Sequence, residues 1–181
     1  MDVIDAIEKR RAYRSLEEIE IKDEIIFDLA KAAILAPSCF NNQPERLIFV
    51  KSKEKLNELF SALSKGNDWA KFASMIIVVY SKKDFDCDIK GREYYLFDTG
   101  MAVGFLILRA TELDLVAHPI AGYDEDKVKE ILGIEEDARV ITLIIVGKKY
   151  SEIRDILTDK QKIQENTRPE RKKFEEFAKI L

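Results

Sequence analysis

The chain is poor in the residues that most often carry chemistry. It has one histidine, two cysteines, one tryptophan and four prolines among 181 residues. A lone His118 excludes a multi-histidine metal centre. Cys39 and Cys87 stand far apart and match no CxxC or zinc-type spacing, so no metal site is expected. The sequence contains no GxSxG, HExxH, P-loop or GxGxxG. No apolar run approaches the ~18–20 residues of a membrane span. The opening Met1-Asp2-Val3-Ile4-Asp5 lacks the basic-then-apolar pattern of a signal peptide. A basic excess is missing as well: the net charge is −4 and the pI about 5.3, which argues against nucleic acid as a partner. These absences predict a soluble, cytoplasmic protein that contacts no membrane.

What is present is an ordinary globular composition, 46% apolar and 35% charged. A chain of this length buries roughly 70% of its unfolded surface, so it needs neither disulfide nor metal as a staple. One domain over residues 1–181 is expected, with 148–181 as a C-terminal arm. Val3, Ile4, Ala6 and Ile7 mark a short first helix, and Lys22 to Leu35 an amphipathic second. Arg46 to Lys51 reads as a strand and Ser52 to Ser64 as a helix capped by Ser52. Trp69 and Phe72 fit a single helical turn. Met75 to Tyr80 is apolar throughout, as in a strand covered on both faces.

Arg92 to about Leu113 carries the longest helical pattern, and its apolar girth predicts a central, buried helix. Gly100 and Gly104 inside it suit close helix packing. Leu115 to Ile120 reads as a strand, Asp124 to Leu132 as a helix stopped by Gly133, and Arg139 to Gly147 as a strand. The remainder is polar until a last helix near Pro169. This order predicts an α+β fold, a three-layer α/β/α sandwich around a mixed, mainly antiparallel sheet of four to five strands.

The segment from Ala36 to Pro44 concentrates bend-forming and polar residues between a helix and a strand. Pro37 and Pro44 disfavour helix at Ala36 and Gln43. Ser38, Asn41, Asn42 and Gln43 offer donors and acceptors, suited to a turn or to a polar lip over a ligand. Arg10, Arg11 and Arg14 suit an anion, and so do Arg168 and Arg171. Gly122, after Pro119, Ile120 and Ala121, lets backbone N–H groups approach a ligand. His118 suits a structural role better than acid–base work, and a catalytic role for Cys39 lacks a neighbouring histidine.

Taken in order, these segments resemble the nitroreductase-like FMN flavoenzymes. Arg10-Arg11-Ala12-Tyr13-Arg14 is similar to that family's opening basic motif, and Pro37-Ser38-Cys39-Phe40-Asn41-Asn42-Gln43-Pro44 to its proline-serine, asparagine-x-glutamine-proline signature. Trp69, the glycine-containing helix, the Pro119 to Asp124 turn and Thr167-Arg168-Pro169 follow in the family's order. The resemblance implies a homodimer with FMN at the subunit interface and exchanged C-terminal arms. It places Arg10, Arg11 and Arg168 on the phosphate and ribityl chain, alongside Ala12, and Arg14 at N1 and O2 of the flavin. Pro37, Ser38, Cys39, Asn41 and Gln43 would come largely from the other subunit. Ala121 and Gly122 would sit over the ring, with a backbone N–H near N5, and Pro119 and Ile120 would join them in binding the cofactor.

The implied activity is ping-pong hydride transfer through flavin N5. NADH or NADPH is the donor, and a small electron-poor molecule such as a nitroaromatic or quinone is the acceptor. No catalytic residue is implied beyond the flavin, with Arg14 as electrostatic support. Reductive dehalogenation, flavin fragmentation and a non-catalytic flavin-binding module are the alternatives. Ala12, Phe40, Glu45 and Ala121 depart from the pattern, and Phe40, Glu45 and Ala121 bear on the acceptor pocket. The role of Arg171 is left open.

Overall fold

The computed structural model describes residues 1–181. In chain order the elements are helix α1 (Val3–Lys9), the two-residue strand β1 (Leu16–Glu17), α2 (Asp23–Ile34), β2 (Arg46–Val50), α3 (Lys53–Phe60), β3 (Met75–Ser81), β4 (Asp88–Ile89), β5 (Arg92–Glu93), α4 (Tyr94–Glu112), β6 (Val116–Ile120), α5 (Glu125–Leu132), β7 (Arg139–Lys149), α6 (Asp159–Asn166) and α7 (Phe174–Phe177). Tight 3-10 turns form at Cys39–Asn41, Asp68–Phe72 and Lys83–Phe85.

Strand β7 is the hub of a five-stranded sheet. It pairs with β3, β6 and β1, and β3 pairs in turn with β2. The sheet expected to be mainly antiparallel is antiparallel in every ladder. Strand β3 is apolar throughout because both of its faces are covered. Ile76 and Val78 enter a core with Leu56, Leu59, Trp69 and Val128. Met75, Ile77 and Val79 enter a second core with Leu29, Ala33, Ala102 and Leu106. Helices α3 and α5 therefore lie on one face of the sheet and α2 and α4 on the other, the expected three layers. Each fully buried leucine, such as Leu59 or Leu106, contributes about 1.5–3 kcal/mol.

One irregularity in the sheet adjusts side-chain direction. Val79 faces Thr142 but the next residue, Tyr80, faces Val140, so Ile141 is an extra residue on β7. The bulge shifts the period of two by one position. Val140 thereby joins Leu143 and Ile145 in the same core, which regular alternation would forbid.

The helix ends follow local chemistry. Ser52 and Asp124 accept hydrogen bonds from the backbone N–H groups of Lys55 and Lys127, and Gly133 ends α5 with φ of +65°. Two expectations need correction. Within one chain α4 is buried along one side only, through Tyr95, Asp98, Thr99, Ala102, Leu106 and Ala110, while Leu96, Phe97 and Phe105 are exposed. A side chain at Gly100 or Gly104 would meet nothing within 4 Å, so packing within this chain explains neither glycine. The expected polar linker also contains α6, held by a capping box in which Thr158 and Gln161 bond reciprocally. No helix is long and apolar enough to cross a membrane.

Candidate functional site

The segment from Arg10 to Ser15 leaves α1 in an irregular course, and the C-terminal part of the chain dictates that course. Glu165, buried on α6, accepts the backbone N–H of Arg14 at 2.8 Å and that of Ser15 at 3.1 Å. The Ser15 hydroxyl accepts the Arg154 N–H at 3.1 Å, and Arg154 Nε donates to the Leu16 carbonyl at 2.8 Å. Arg154 is held in turn against the rings of Phe72 and Tyr150, 3.8 and 4.3 Å from their centroids. His118 Nδ1 lies 3.0 Å from the Tyr13 carbonyl. A carbonyl only accepts, so Nδ1 carries the proton of the neutral ring.

This bracing gathers the arginines. Arg10, Arg11, Ala12, Arg14, Gln164, Arg168, Pro169 and Arg171 line a cavity of about 330 Å³. Arg11 donates to the Gln164 carbonyl at 2.7 Å and Arg14 to the Gln164 side-chain oxygen at 3.1 Å. Arg168 donates to the carbonyl oxygens of Glu8 and Arg10. The Arg10 side chain makes neither a hydrogen bond nor an ion pair. Burial holds its pKa below the ordinary arginine value, and the charges of Arg168, Arg171 and Arg11 press it the same way. Burial also lowers that of Arg14, against the opposing pull of Glu165. Like charges brought together in a half-buried cleft repel, and an anion with several acceptor oxygens is the group that relieves them.

The structure thus brings together Arg10, Arg11, Ala12, Arg14 and Arg168 of the residues singled out in the sequence, and gives Arg171 a place beside them. Gln164 and Glu165 were missed. Glu165 is a charged residue on a polar helix, and nothing in its neighbourhood along the chain marks it as buried.

Pro37, Ser38, Cys39, Asn41 and Gln43 do not line this cavity. Their loop faces α4 and the β4–β5 hairpin instead. Cys39 N–H donates to Asp98 at 2.6 Å, and Ser38 Oγ accepts the Gln43 N–H at 3.0 Å. Cys39 and Cys87, which match no motif spacing and are not needed as a staple, nevertheless form a disulfide, with Cα atoms 6.2 Å apart. Sequence spacing was no guide here because the fold joins positions 48 apart in sequence, whereas metal and CxxC motifs are local. As a disulfide, Cys39 has no thiol to offer a ligand. Phe40 is 88% exposed, and Glu45 is raised in pKa by burial and by the nearby charges of Asp98 and Asp86.

Pro119, Ile120, Ala121 and Gly122 are likewise outside the cavity, at the end of β6. Gly122 has close neighbours within the chain. A side chain there would meet the Asn67 amide at 2.6 Å, and the Gly122 carbonyl accepts bonds from Ser64 and Asn67.

His118 stacks on Trp69 with ring centroids 4.7 Å apart, and the Arg14 guanidinium lies 6.0 Å from the Trp69 ring. The Trp69 indole N–H is buried without a partner. Burial lowers the His118 pKa to about 4, with Arg14 and Arg10 reinforcing the shift and the Tyr13 carbonyl opposing it. The unfolded chain takes up a proton below about 6.5 that the folded chain refuses. Stability is therefore lost as pH falls from about 6.5 towards 4, by roughly 2 kcal/mol at pH 5 from this group. Asparagine at 118 keeps an N–H at the δ position and removes the titration. The urea midpoint of His118→Asn is expected to fall less between pH 7 and pH 5 than that of the wild type. Equal falls would contradict a neutral, buried imidazole.

Comparison with known proteins agrees with the architecture. The family model described as "Nitroreductase family" matches residues 63–148. A relative from Methanothermobacter thermautotrophicus, provisionally named NADH dehydrogenase/NAD(P)H nitroreductase, is 30% identical over 132 residues, which cover 72% of this chain and 67% of that one. The structure of a nitroreductase family protein from Clostridium novyi NT is 27% identical and superposes with a TM-score of 0.78, covering 83% of this chain and 87% of the other. An FMN-dependent nitroreductase from Clostridium difficile R20291 is 26% identical with a TM-score of 0.71, covering 87% and 92%. On fold and sequence together, the chain belongs to the nitroreductase family.

Proposed function

We propose that the protein is an FMN-dependent NAD(P)H oxidoreductase that passes electrons to a small electron-poor acceptor such as a nitroaromatic or quinone. The observation that carries this reading is the convergence of Arg10, Arg11, Arg14, Arg168 and Arg171 on one cavity. That donor set fits a phosphate dianion with further oxygens beside it. FMN, when bound, supplies the two-electron chemistry, accepting hydride from the nicotinamide and giving it to the acceptor. Arg10, Arg11 and Arg168 bind the phosphate and ribityl oxygens. Arg14, fixed through its own backbone by Glu165, supplies positive charge to the N1/O2 edge. NAD(P)H as donor is supported by the names of the relatives.

The functional unit in this reading is a homodimer. Leu96, Phe97 and Phe105 on α4, Phe27 and Ile34 on α2 and Leu35 just past its end expose a large apolar surface of the kind that marks a protein interface. Residues 150–165 pack on their own chain, with Leu157 buried in the core. The exposed remainder, including Phe174, Phe177 and Ile180, forms an arm that wraps the partner. The loop at Pro37 to Gln43 and the turn at Pro119 to Gly122 complete the partner's site. The compartment is the cytoplasm.

The absorption spectrum of the purified protein tests this directly. A band near ~450 nm that bleaches on anaerobic addition of NADH or NADPH is expected, as for flavoenzymes in general. A colourless protein that neither takes up added FMN nor oxidises NAD(P)H would overturn the reading.

A further inference from the structure

The loop from Ala36 to Pro44 is strained and tied down. Phe40, Asn41 and Gln43 have φ of 49°, 58° and 50°, the left-handed region that non-glycine residues occupy at a cost of about 1–2 kcal/mol each. Such backbone persists only where its surroundings over-determine it. Here Asp98 holds the Cys39 N–H, the Ser81 hydroxyl donates to the Pro44 carbonyl at 2.8 Å, and the Asn42 amide donates to Asp86 at 3.2 Å. The covalent tie is the Cys39–Cys87 disulfide, which joins this loop to the segment leading into β4.

The surroundings of the sulfur atoms are acidic. The Asp86 carboxylate lies within 4.8 Å of both sulfurs, and its Oδ2 is buried without a hydrogen-bond partner. Asp98 lies beside Asp86, with burial and then Asp86 raising its pKa. Two cysteines released here stay protonated beside these carboxylates, and nothing covalent then holds the loop to the hairpin. The left-handed backbone at Phe40, Asn41 and Gln43 is then free to relax. The site is within reach of solvent, since Phe40, Asn41 and Asn42 are exposed and both cysteines only half-buried.

We propose that Cys39 and Cys87 form a thiol–disulfide exchange site through which a dithiol reductant sets the conformation of the Ala36 to Pro44 loop. The dithiol gives two electrons and two protons to the pair. The Cys39–Cys87 S–S bond breaks, two S–H bonds form, and the reductant closes its own disulfide. In a reducing cytoplasm a surface disulfide of this kind is characteristically a transient, redox-sensing bond. Resting on the oxidoreductase reading above, reduction frees the lip that this loop contributes to the partner's flavin site.

The full-length protein is denatured under acid-quenched, alkylating conditions and weighed before and after dithiothreitol. No alkylated cysteine before reduction and two after are expected. Hydrogen exchange of the native protein with and without dithiothreitol, under anaerobic conditions, then reads the loop. Peptides covering residues 36–44 and 83–90 are expected to exchange about tenfold faster when reduced, with β3 and β7 unchanged. The Cys39→Ser/Cys87→Ser variant is expected to match the reduced wild type and to ignore the reductant.

Two alkylatable thiols in the protein as isolated would overturn the proposal, and so would a zinc ion bound at one per chain, which would mark a metal centre. Loop exchange insensitive to reduction would overturn it as well. The exchange measurement needs no flavin. A colourless protein whose loop still responds to dithiothreitol would overturn the oxidoreductase reading and leave the exchange site standing.

Discussion

Replacing Glu165 by alanine is expected to lower the melting temperature by roughly 5–15 °C. The carboxylate spans two successive backbone N–H groups, those of Arg14 and Ser15, at 2.8 and 3.1 Å, and Glu165 itself is buried. Truncation leaves both donors without a partner in a water-poor site. Each costs about 1–3 kcal/mol, and each kcal/mol moves the midpoint of a chain this size by roughly 2–4 °C. Glutamine is expected to recover little of the loss although its shape is nearly the same. Each N–H is met by its own carboxylate oxygen, so in the same pose glutamine keeps one acceptor and turns its NH₂ on the other N–H, donor against donor. Aspartate falls short by one methylene. Glu170→Ala is the control, since Glu170 is exposed, and it should change stability by no more than about 0.5 kcal/mol. Thermal melts followed by circular dichroism decide the matter. A Glu165→Ala midpoint equal to that of the control would mean that the carboxylate does not brace the arginine segment.

The same residue shows where the sequence stopped being legible. The elements that bury an apolar face were readable because burial imposes a period. Met75 to Val79 and the stripe through Leu29 and Ala33 report the two cores directly. Helix α6 buries one side chain of note, and that is a glutamate. A helix fixed by a capping box and a carboxylate over two backbone donors leaves no apolar period to read. Strand β1 is two residues long, too short for a period at all. The cysteine pair was illegible for another reason: its closeness is a property of the tertiary fold, which carries the β4–β5 hairpin back to the loop before β2.

Of the candidate site, the arginines were legible as charge without an evident structural partner. Placement at the C-terminal end of α1 explains why cations are tolerated at Arg10 and Arg11. It does not explain why Arg168 and Arg171, more than 150 residues on, point into the same cavity. Glycine was the least informative signal. Gly122 is fixed by the Asn67 amide, a neighbour distant in sequence. A side chain at Gly100 or Gly104 would meet nothing within 4 Å, and their side of α4 is the apolar one that the dimer proposal covers.

The arginine cluster supplies the other large expected effect, and its sign separates binding from folding. The Arg10 side chain has no carboxylate or hydrogen-bond partner, and three arginines press on it. Arg10→Ala is therefore expected to leave the flavin-free protein as stable as the wild type or slightly more so, because it removes repulsion and breaks no bond. FMN affinity is expected to fall about 10- to 150-fold, the equivalent of a lost charge-assisted hydrogen bond of about 1.5–3 kcal/mol. The loss should shrink as salt is raised, since the half-buried cleft is open enough for screening. Riboflavin, which lacks the phosphate, discriminates further. If Arg10 holds the phosphate, the substitution leaves riboflavin affinity unchanged, while Arg14→Ala weakens both ligands because Arg14 is assigned to the ring. Fluorescence titration of wild type, Arg10→Ala and Arg14→Ala apoproteins with each ligand gives all six constants. Equal FMN affinity for wild type and Arg10→Ala would remove the phosphate from this cavity, and with it the placement of the cofactor. A riboflavin loss as large as the FMN loss would instead put Arg10 at the ring.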